Sequence, residues 1–202
     1  MKQTGIVMPG YQTCDYMLIL TLPTEVGNKV SLVRDEFNKE YKVIPTPNKP
    51  NIILATFTQF VMKEERISNH LRTVAMGYPP FKIALKDFGS FPSHTIYVGV
   101  TSKIGVQALV KKIRTDVQAL LKLDKDHKPY FALEPHVTIA RKLKPWQYEK
   151  GWLEYSNKHF TGRFIAQEMT LLKRPEGERT WRVVQSFKFE NLPVETKQGE
   201  LF

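Results

Sequence analysis

A chain of 202 residues with 42% hydrophobic and 25% charged residues is long enough to bury a sizeable core and too apolar to be a disordered tail. Its formal net charge of +10 favours anionic partners, nucleic acid or nucleotides first, although a basic protein without such a partner has the same balance. A single cysteine, Cys14, excludes a disulfide within the chain and a zinc site built from thiolates, and it sits in an apolar run where a packed core thiol is expected.

CDYMLILTL (14–22) alternates loosely, ends at Pro23 and predicts a strand. Residues 25–41 place Val26, Val30, Val33 and Phe37 at helical spacing, with Thr24 as N-cap. IPTPNKP (44–50) is a proline-rich loop. NIILATFTQF (51–60) predicts a second strand, and 61–78 a helix stopped by Gly77 and Pro79. Strands follow over 81–91 and 93–100. The helix at 102–123 has an apolar stripe of Ile104, Ala108, Ile113, Val117, Leu120 and Leu121. After the charged loop DKDHKPY comes LEPHVTIARKL (133–143), read as a strand. A helix over 145–160 has Pro145 in its first turn, and strands over 162–174 and 180–189 are joined by the turn PEGE. The tail NLPVETKQGELF is polar and expected to be loose.

The order is β-α-β-α-β-β-α-β-α-β-β. Cut at about residue 101, it reads as a weak internal duplication. The expected fold is α+β, one bilobal domain with mostly antiparallel sheets around a central cleft and helices outside. Its lobes would span about 12–100 and 101–190, with exchange of strands between them. The N-terminus MKQTGIVMPGYQTCD has no apolar run long enough for a signal peptide, and no stretch approaches the ~18 apolar residues of a membrane span. A soluble, cytoplasmic protein is expected, with a monomer favoured.

Chemistry concentrates at His136 and Thr138. Two positions apart in a strand, they share a face. An imidazole exchanges protons near neutral pH, and a hydroxyl donates to a phosphate oxygen. Arg141 and Lys142 follow, although strict alternation puts only one of them on the His136 face. Taken alone, H-x-T in a strand reads first as a hydrogen-bonded structural histidine.

Pro135 before the histidine, the apolar continuation and the basic end resemble the second signature of the 2H phosphoesterase superfamily, which includes the RNA 2′,5′-ligase and cyclic phosphodiesterase group. The resemblance extends through the order of elements over about residues 12 to 190. It implies a duplicated bilobal fold in which each half supplies one H-x-[ST] motif to the cleft. It also implies chemistry by two histidines, one as general base and one protonating the leaving oxygen, without a metal. The first motif departs from the pattern: after Pro50, Asn51 stands where the histidine is expected and Ile53 where the hydroxyl is expected. An asparagine amide hydrogen-bonds a phosphate but exchanges no proton near pH 7.

His94, which opens SHTIYVGV, is a candidate second proton carrier, with a histidine at a loop mouth as the plainer reading. His70, His127 and His159 are expected at the surface. Phe57, Phe60, Tyr97 and Trp146 are candidates for base stacking or, more simply, core and rim residues. Lys173, Arg174, Arg179 and Arg182 flank the last hairpin, as an RNA clamp or as solvated charge. No P-loop, Rossmann glycine pattern, zinc or EF-hand spacing is present, so no cofactor and no metal is expected.

Three readings stay open. The chain is a metal-independent 2H-type phosphoesterase acting on cyclic phosphate or 2′,5′-linked RNA ends, with His136 and Thr138 catalytic and Asn51, Arg141, Lys142, His94 and Tyr97 binding substrate. Alternatively it is a nucleotide- or RNA-binding module that has lost the chemistry with its first histidine. Or it is a structural relative with an unrelated small ligand.

Overall fold

The computed structural model describes residues 11–45 and 48–193, so the first ten residues, Thr46 and Pro47 of the proline-rich loop and most of the polar tail lie outside the described residues. The chain opens with β1 (Thr13–Thr21), α1 (Thr24–Glu40) and β2 (Asn51–Phe60), followed by a 3-10 turn and α2 (Glu64–Met76). Then come β3 (Phe81–Phe91), β4 (Thr95–Val100), α3 (Lys103–Leu121), the two-residue β5 (Tyr130–Phe131) and β6 (His136–Arg141). The chain ends with α4 (Pro145–Tyr155), β7 (Thr161–Ala166), β8 (Glu168–Pro175) and β9 (Arg182–Lys188).

All strand pairs are antiparallel, in two sheets of order β5-β2-β1-β8-β9 and β6-β4-β3-β7. The α+β architecture with helices packed on the sheets is that expected. Each sheet draws strands from both sides of residue 101: β3 and β4 pair with the later β6 and β7, while β8 and β9 return to the early β1 and β2.

Three local expectations are corrected. The strand expected over 162–174 is two strands in different sheets; it breaks at Gln167, whose carbonyl instead receives the Phe189 N–H at 2.8 Å. Thr24 is the first residue of α1 and not its cap; the extended Pro23 precedes it, and the Pro23 carbonyl receives the Gly27 N–H at 2.8 Å. On α3 the buried stripe is Val106, Leu109, Val110, Ile113, Val117 and Leu121, so Ile104 and Ala108 point to solvent. The helix packs against α2 and β2, and that side selects the 106–110–113–117 row.

One core binds the helices to both sheets. Tyr16, Leu18 and Leu20 of β1 are buried on its helix side, with Val30 and Phe37 of α1, Ile113 of α3 and Val137 of β6. Cys14 is 4% exposed, and burial pushes its thiol above the ordinary value. On the other face of β1, Met17 and Ile19 form a small second cluster with Leu172, against which Ile53 and Trp181 pack. That second cluster is the apolar floor of the cleft between the sheets. No helix of the described residues is long and apolar enough to cross a membrane.

Candidate active site

The site follows from two strands built alike. In β2 and β6 the first six residues, Asn51 to Thr56 and His136 to Arg141, show nearly one burial pattern: positions one and three half-buried, positions two, four and five in the core. Both strands bulge at the fourth residue. In β2, Leu18 pairs with Ala55 and Ile19 with Ile53, leaving Leu54 without a partner. In β6, Ile96 pairs with Ala140 and Tyr97 with Thr138, leaving Ile139 without one. The extra residue resets the alternation. Position six, Thr56 or Arg141, therefore faces the same way as positions one and three, where an unbroken strand would turn it into the core.

The two strands approach each other across the sheets, and Asn51, Ile53, Thr56, Thr138 and Arg141 line one cleft of about 170 Å³. The bulge answers which of the two basic residues faces this way. It is Arg141; Lys142 lies past the strand end, exposed, with a left-handed φ of 55°.

The first position is held in the same way in both strands. His136 Nδ1 lies 2.8 Å from the Glu134 carbonyl, and Asn51 Nδ2 donates to the Lys49 carbonyl at 2.9 Å. Each ties to the carbonyl two residues back. A carbonyl only accepts, so Nδ1 of His136 carries the proton and Nε2 carries the free lone pair. Burial holds the His136 imidazole below its ordinary value, partly opposed by the Glu134 carbonyl. The ring packs edge-on to Phe91 and against Tyr97, with centroids 5.0 and 4.9 Å away. Tyr97 lies flat over Gly89 across the strand pair, where a β-carbon would sit 2.6 Å from the ring.

Behind Thr138 stands Arg34 of α1, which the sequence reading missed. Its Nε and Nη2 donate to the Thr138 carbonyl at 2.8 and 2.6 Å, and its Nη1 to the Asn48 carbonyl at 2.9 Å. Arg34 also lines the cleft. Burial, reinforced by repulsion from Arg141, pushes its guanidinium down to about 10, so it remains charged at neutral pH. Lys49 and Arg174 line the cleft as well, and among the described residues no carboxylate does. Arg174 is held by Asp15 at 2.7 Å and lies 4.8 Å over the Trp181 ring. Trp181 was also missed. Its position beside a basic hairpin was the one available signal.

His136 and Thr138, about 6.6 Å apart along the strand, open onto neighbouring spaces. Thr138 faces the cleft, and His136 faces a hollow of about 420 Å³ that it shares with Phe91, Tyr97 and Lys103. His94 lies elsewhere. It is exposed in the β3–β4 turn with Nδ1 3.0 Å from the Pro92 carbonyl, and it lines neither the cleft nor the hollow of His136. Five positions along β4 separate it from Gly99, the partner of His136, roughly 16 Å of strand.

Among the remaining expected surface histidines, His70 bonds the Arg66 carbonyl and His159 meets Asp87, both exposed. His127 pairs with Asp124 beside the cleft. Of the stacking candidates, Phe57 is buried against Tyr16 and Phe60 packs with Tyr11. Trp146 is exposed on α4 and lines neither the cleft nor its neighbouring hollows. In the last hairpin, Lys173 pairs with Glu64, Arg174 with Asp15 and Arg182 with Glu178, and of these three Arg174 lines the cleft. Among the described residues, no group of three His, Cys, Asp or Glu side chains is placed to hold a metal.

The family model of the 2′-5′ RNA ligase superfamily matches residues 46–178, a span that contains both motif strands. The chain belongs to this superfamily. It is 28% identical over 138 residues, 66% of this chain and 72% of the relative, to "Putative phosphoesterase GK0864" of Geobacillus kaustophilus. Solved structures share the fold at lower identity. TT0787 of Thermus thermophilus has a TM-score of 0.65 at 18% identity, over 87% of this chain and 98% of that one. E. coli LigT, solved with 3′-AMP, has a TM-score of 0.61 at 16% identity, over 88% and 98%. LigT has also been solved with phosphate, again at 0.61 and 16% over the same shares.

Proposed function

We propose that the chain binds the phosphate of a cyclic nucleotide or of a 2′,5′-linked RNA end in the cleft between β2 and β6, and that His136, from the adjoining hollow, exchanges a proton with the reacting group at the boundary of the two spaces. The observation that carries this reading is the charge of the cleft: Arg34, Lys49, Arg141 and Arg174 line it without a carboxylate among them. Guanidinium groups and a hydroxyl match the oxygens of a phosphodiester, and Thr138 and Arg141 line the same cleft. The nucleotide and phosphate complexes of LigT, on the same fold, agree with an anionic ligand.

The chemistry follows from the state of His136. Held neutral at pH 7 by burial, with Nε2 free, it takes a proton from water or from a ribose hydroxyl that attacks phosphorus. On the opposite wall the departing oxygen meets Asn51, which hydrogen-bonds but delivers no proton. The leaving group draws its proton from solvent, and turnover is slower than with two positioned histidines by the ~10²–10⁴-fold that one such group supplies.

A second reading has its own observation. Ile53 is seated on the apolar cluster of Met17, Ile19 and Trp181, so this wall is built for packing and not for a phosphate oxygen. A binding module without turnover fits that wall.

Phosphorus NMR with 2′,3′-cyclic AMP separates the two. A monoester signal that disappears in His136→Ala establishes hydrolysis. A broadened diester signal without turnover, lost in Arg141→Ala, establishes binding alone. A spectrum unchanged by the protein overturns both.

A further inference from the structure

The β2 wall of the cleft lacks one kind of group and is rich in another. Asn51 gives its amide N–H to the Lys49 carbonyl, and Ile53 is seated on the apolar cluster of Met17, Ile19 and Trp181. Among the described residues no His, Asp, Glu, Cys or Tyr lines the cleft. Its cations supply charge and not the readily exchanged proton of an imidazole. They gather at the Asn51 end. The Arg34 guanidinium donates to the Asn48 carbonyl at 2.9 Å; Lys49 is the next residue, and its carbonyl holds Asn51. The other bonds of Arg34 go to the Thr138 carbonyl, a neutral acceptor that leaves its charge unanswered. Arg34, Lys49 and Arg141 all line the cleft, and none pairs with a carboxylate among the described residues. A cyclic or 2′,5′-linked diester brings a single negative charge to these three cations.

We infer that the same cleft hydrolyses phosphoanhydride diesters, in which a diphosphate bridge joins two nucleosides or a nucleoside and another alcohol. The inference rests on the phosphate reading above and goes beyond the cyclic and 2′,5′-linked diesters named there. Two features favour it independently. The first is charge. A diphosphate bridge carries two negative charges, which three unanswered cations match more closely than they match one. The second is the leaving group. A ribose oxygen departing as an alkoxide is strongly basic and calls for a proton in the transition state. A phosphate monoester has its second ionisation at about 6, so it departs at neutral pH as a stable dianion. An asparagine that delivers no proton handicaps the first departure and not the second. Arg34 and Lys49, at the Asn51 end, stand where the charge of a departing phosphate develops, and fixed cations stabilise it there. The step balances with the groups at hand. The oxygen of water forms a bond to one phosphorus and one of its protons passes to Nε2 of His136. The bond from that phosphorus to the bridging oxygen breaks, and the bridging oxygen leaves with the electron pair on the second phosphate. Two monoesters result, one of them keeping the other proton of the water.

The test follows diadenosine diphosphate and 2′,3′-cyclic AMP by phosphorus NMR on the full chain, with EDTA present. The parent is expected to convert diadenosine diphosphate to 5′-AMP, and His136→Ala to slow that conversion by roughly 10²-fold or more, the yield of one positioned proton carrier. Asn51→His is expected to speed the opening of 2′,3′-cyclic AMP by ~10²–10⁴-fold and to leave the rate on the anhydride within about threefold. Diadenosine diphosphate left intact by protein that opens 2′,3′-cyclic AMP overturns the inference and leaves the phosphate reading standing. Equal acceleration of the two substrates in Asn51→His overturns it as well, because the departing phosphate would then need the proton. Binding of both substrates without turnover of either does the same and leaves a phosphate-binding cleft. If neither substrate is hydrolysed and neither phosphorus signal moves, the phosphate reading and the inference fall together.

Discussion

Arg34 and Arg141 face one cleft with different attachments. Arg34 spends its N–H groups on the carbonyls of Thr138 and Asn48, tying α1 to β6 and to the loop before β2. Arg141 is exposed and has no ion-pair partner among the described residues. Removing Arg34 leaves the Thr138 carbonyl without its donors, and bonds from a charged donor are worth ~1.5–3 kcal/mol each when sheltered. Arg34→Ala is therefore expected to cost about 2 kcal/mol in urea unfolding and also to weaken phosphate binding. Arg141→Ala is expected to weaken binding with stability within ~0.5 kcal/mol of the parent. Equal stability of the two variants would show that Arg34 is not a structural tie.

His136 makes a pH-dependent contribution of definite sign. Burial lowers its native value below the ordinary 6.5, so as pH falls the unfolded chain binds this proton before the native one does. The contribution is intact above about 6.5 and drains away as pH falls from there through the native value. Urea midpoints measured between about pH 7.5 and 5 should fall more steeply for the parent than for His136→Asn, which carries no titrating ring. Parallel curves would remove burial of the ring as the cause.

The matched strands β2 and β6 set what was legible in the sequence. NIILA and HVTIA share their frame, so the matching burial of the two strands could be read from the alternation of apolar and polar positions. The bulges at Leu54 and Ile139 could not, since nothing in a run of β-branched and aliphatic residues marks which one loses its partner. They decide whether Arg141 or Lys142 reaches the cleft. Arg34 was hidden for another reason: it lies 104 positions from Thr138 and looks like any charged residue on an amphipathic helix. The division of 162–174 into two strands was equally silent, because a chain that crosses from one sheet to the other keeps its β propensity throughout.

The shared frame makes a reconstruction possible. In Asn51→His with Ile53→Thr, the new imidazole inherits the bond to the Lys49 carbonyl, as His136 has to Glu134. The isoleucine lost from the Met17–Trp181 cluster costs about 1 kcal/mol. Hydrolysis of 2′,3′-cyclic AMP is expected to rise by ~10²–10⁴-fold, the yield of one added proton carrier. A folded double variant with no gain would show that the β2 wall is no longer aligned for chemistry.

At the scale of the whole molecule, the question is whether the +10 charge acts through the cleft or as a diffuse field. The ion pairs point to the cleft, since Lys173, Arg174 and Arg182 on the last hairpin are each answered by a carboxylate. Arg34, Lys49 and Arg141 are the cleft cations without one among the described residues. Each phosphate neutralised on a single strand lowers the slope of log K against log salt by ~0.7. A short single-stranded RNA that uses these cations alone should show a slope of about −2, and Arg141→Ala should bring it nearer to about −1.4. A slope several times steeper, unmoved by Arg141→Ala, would mean that the RNA lies across the general basic surface, and the cleft would then account for little of the affinity. A slope that falls by one phosphate's worth would place the strand over the complete H-x-T motif, with its end directed into the space between β2 and β6.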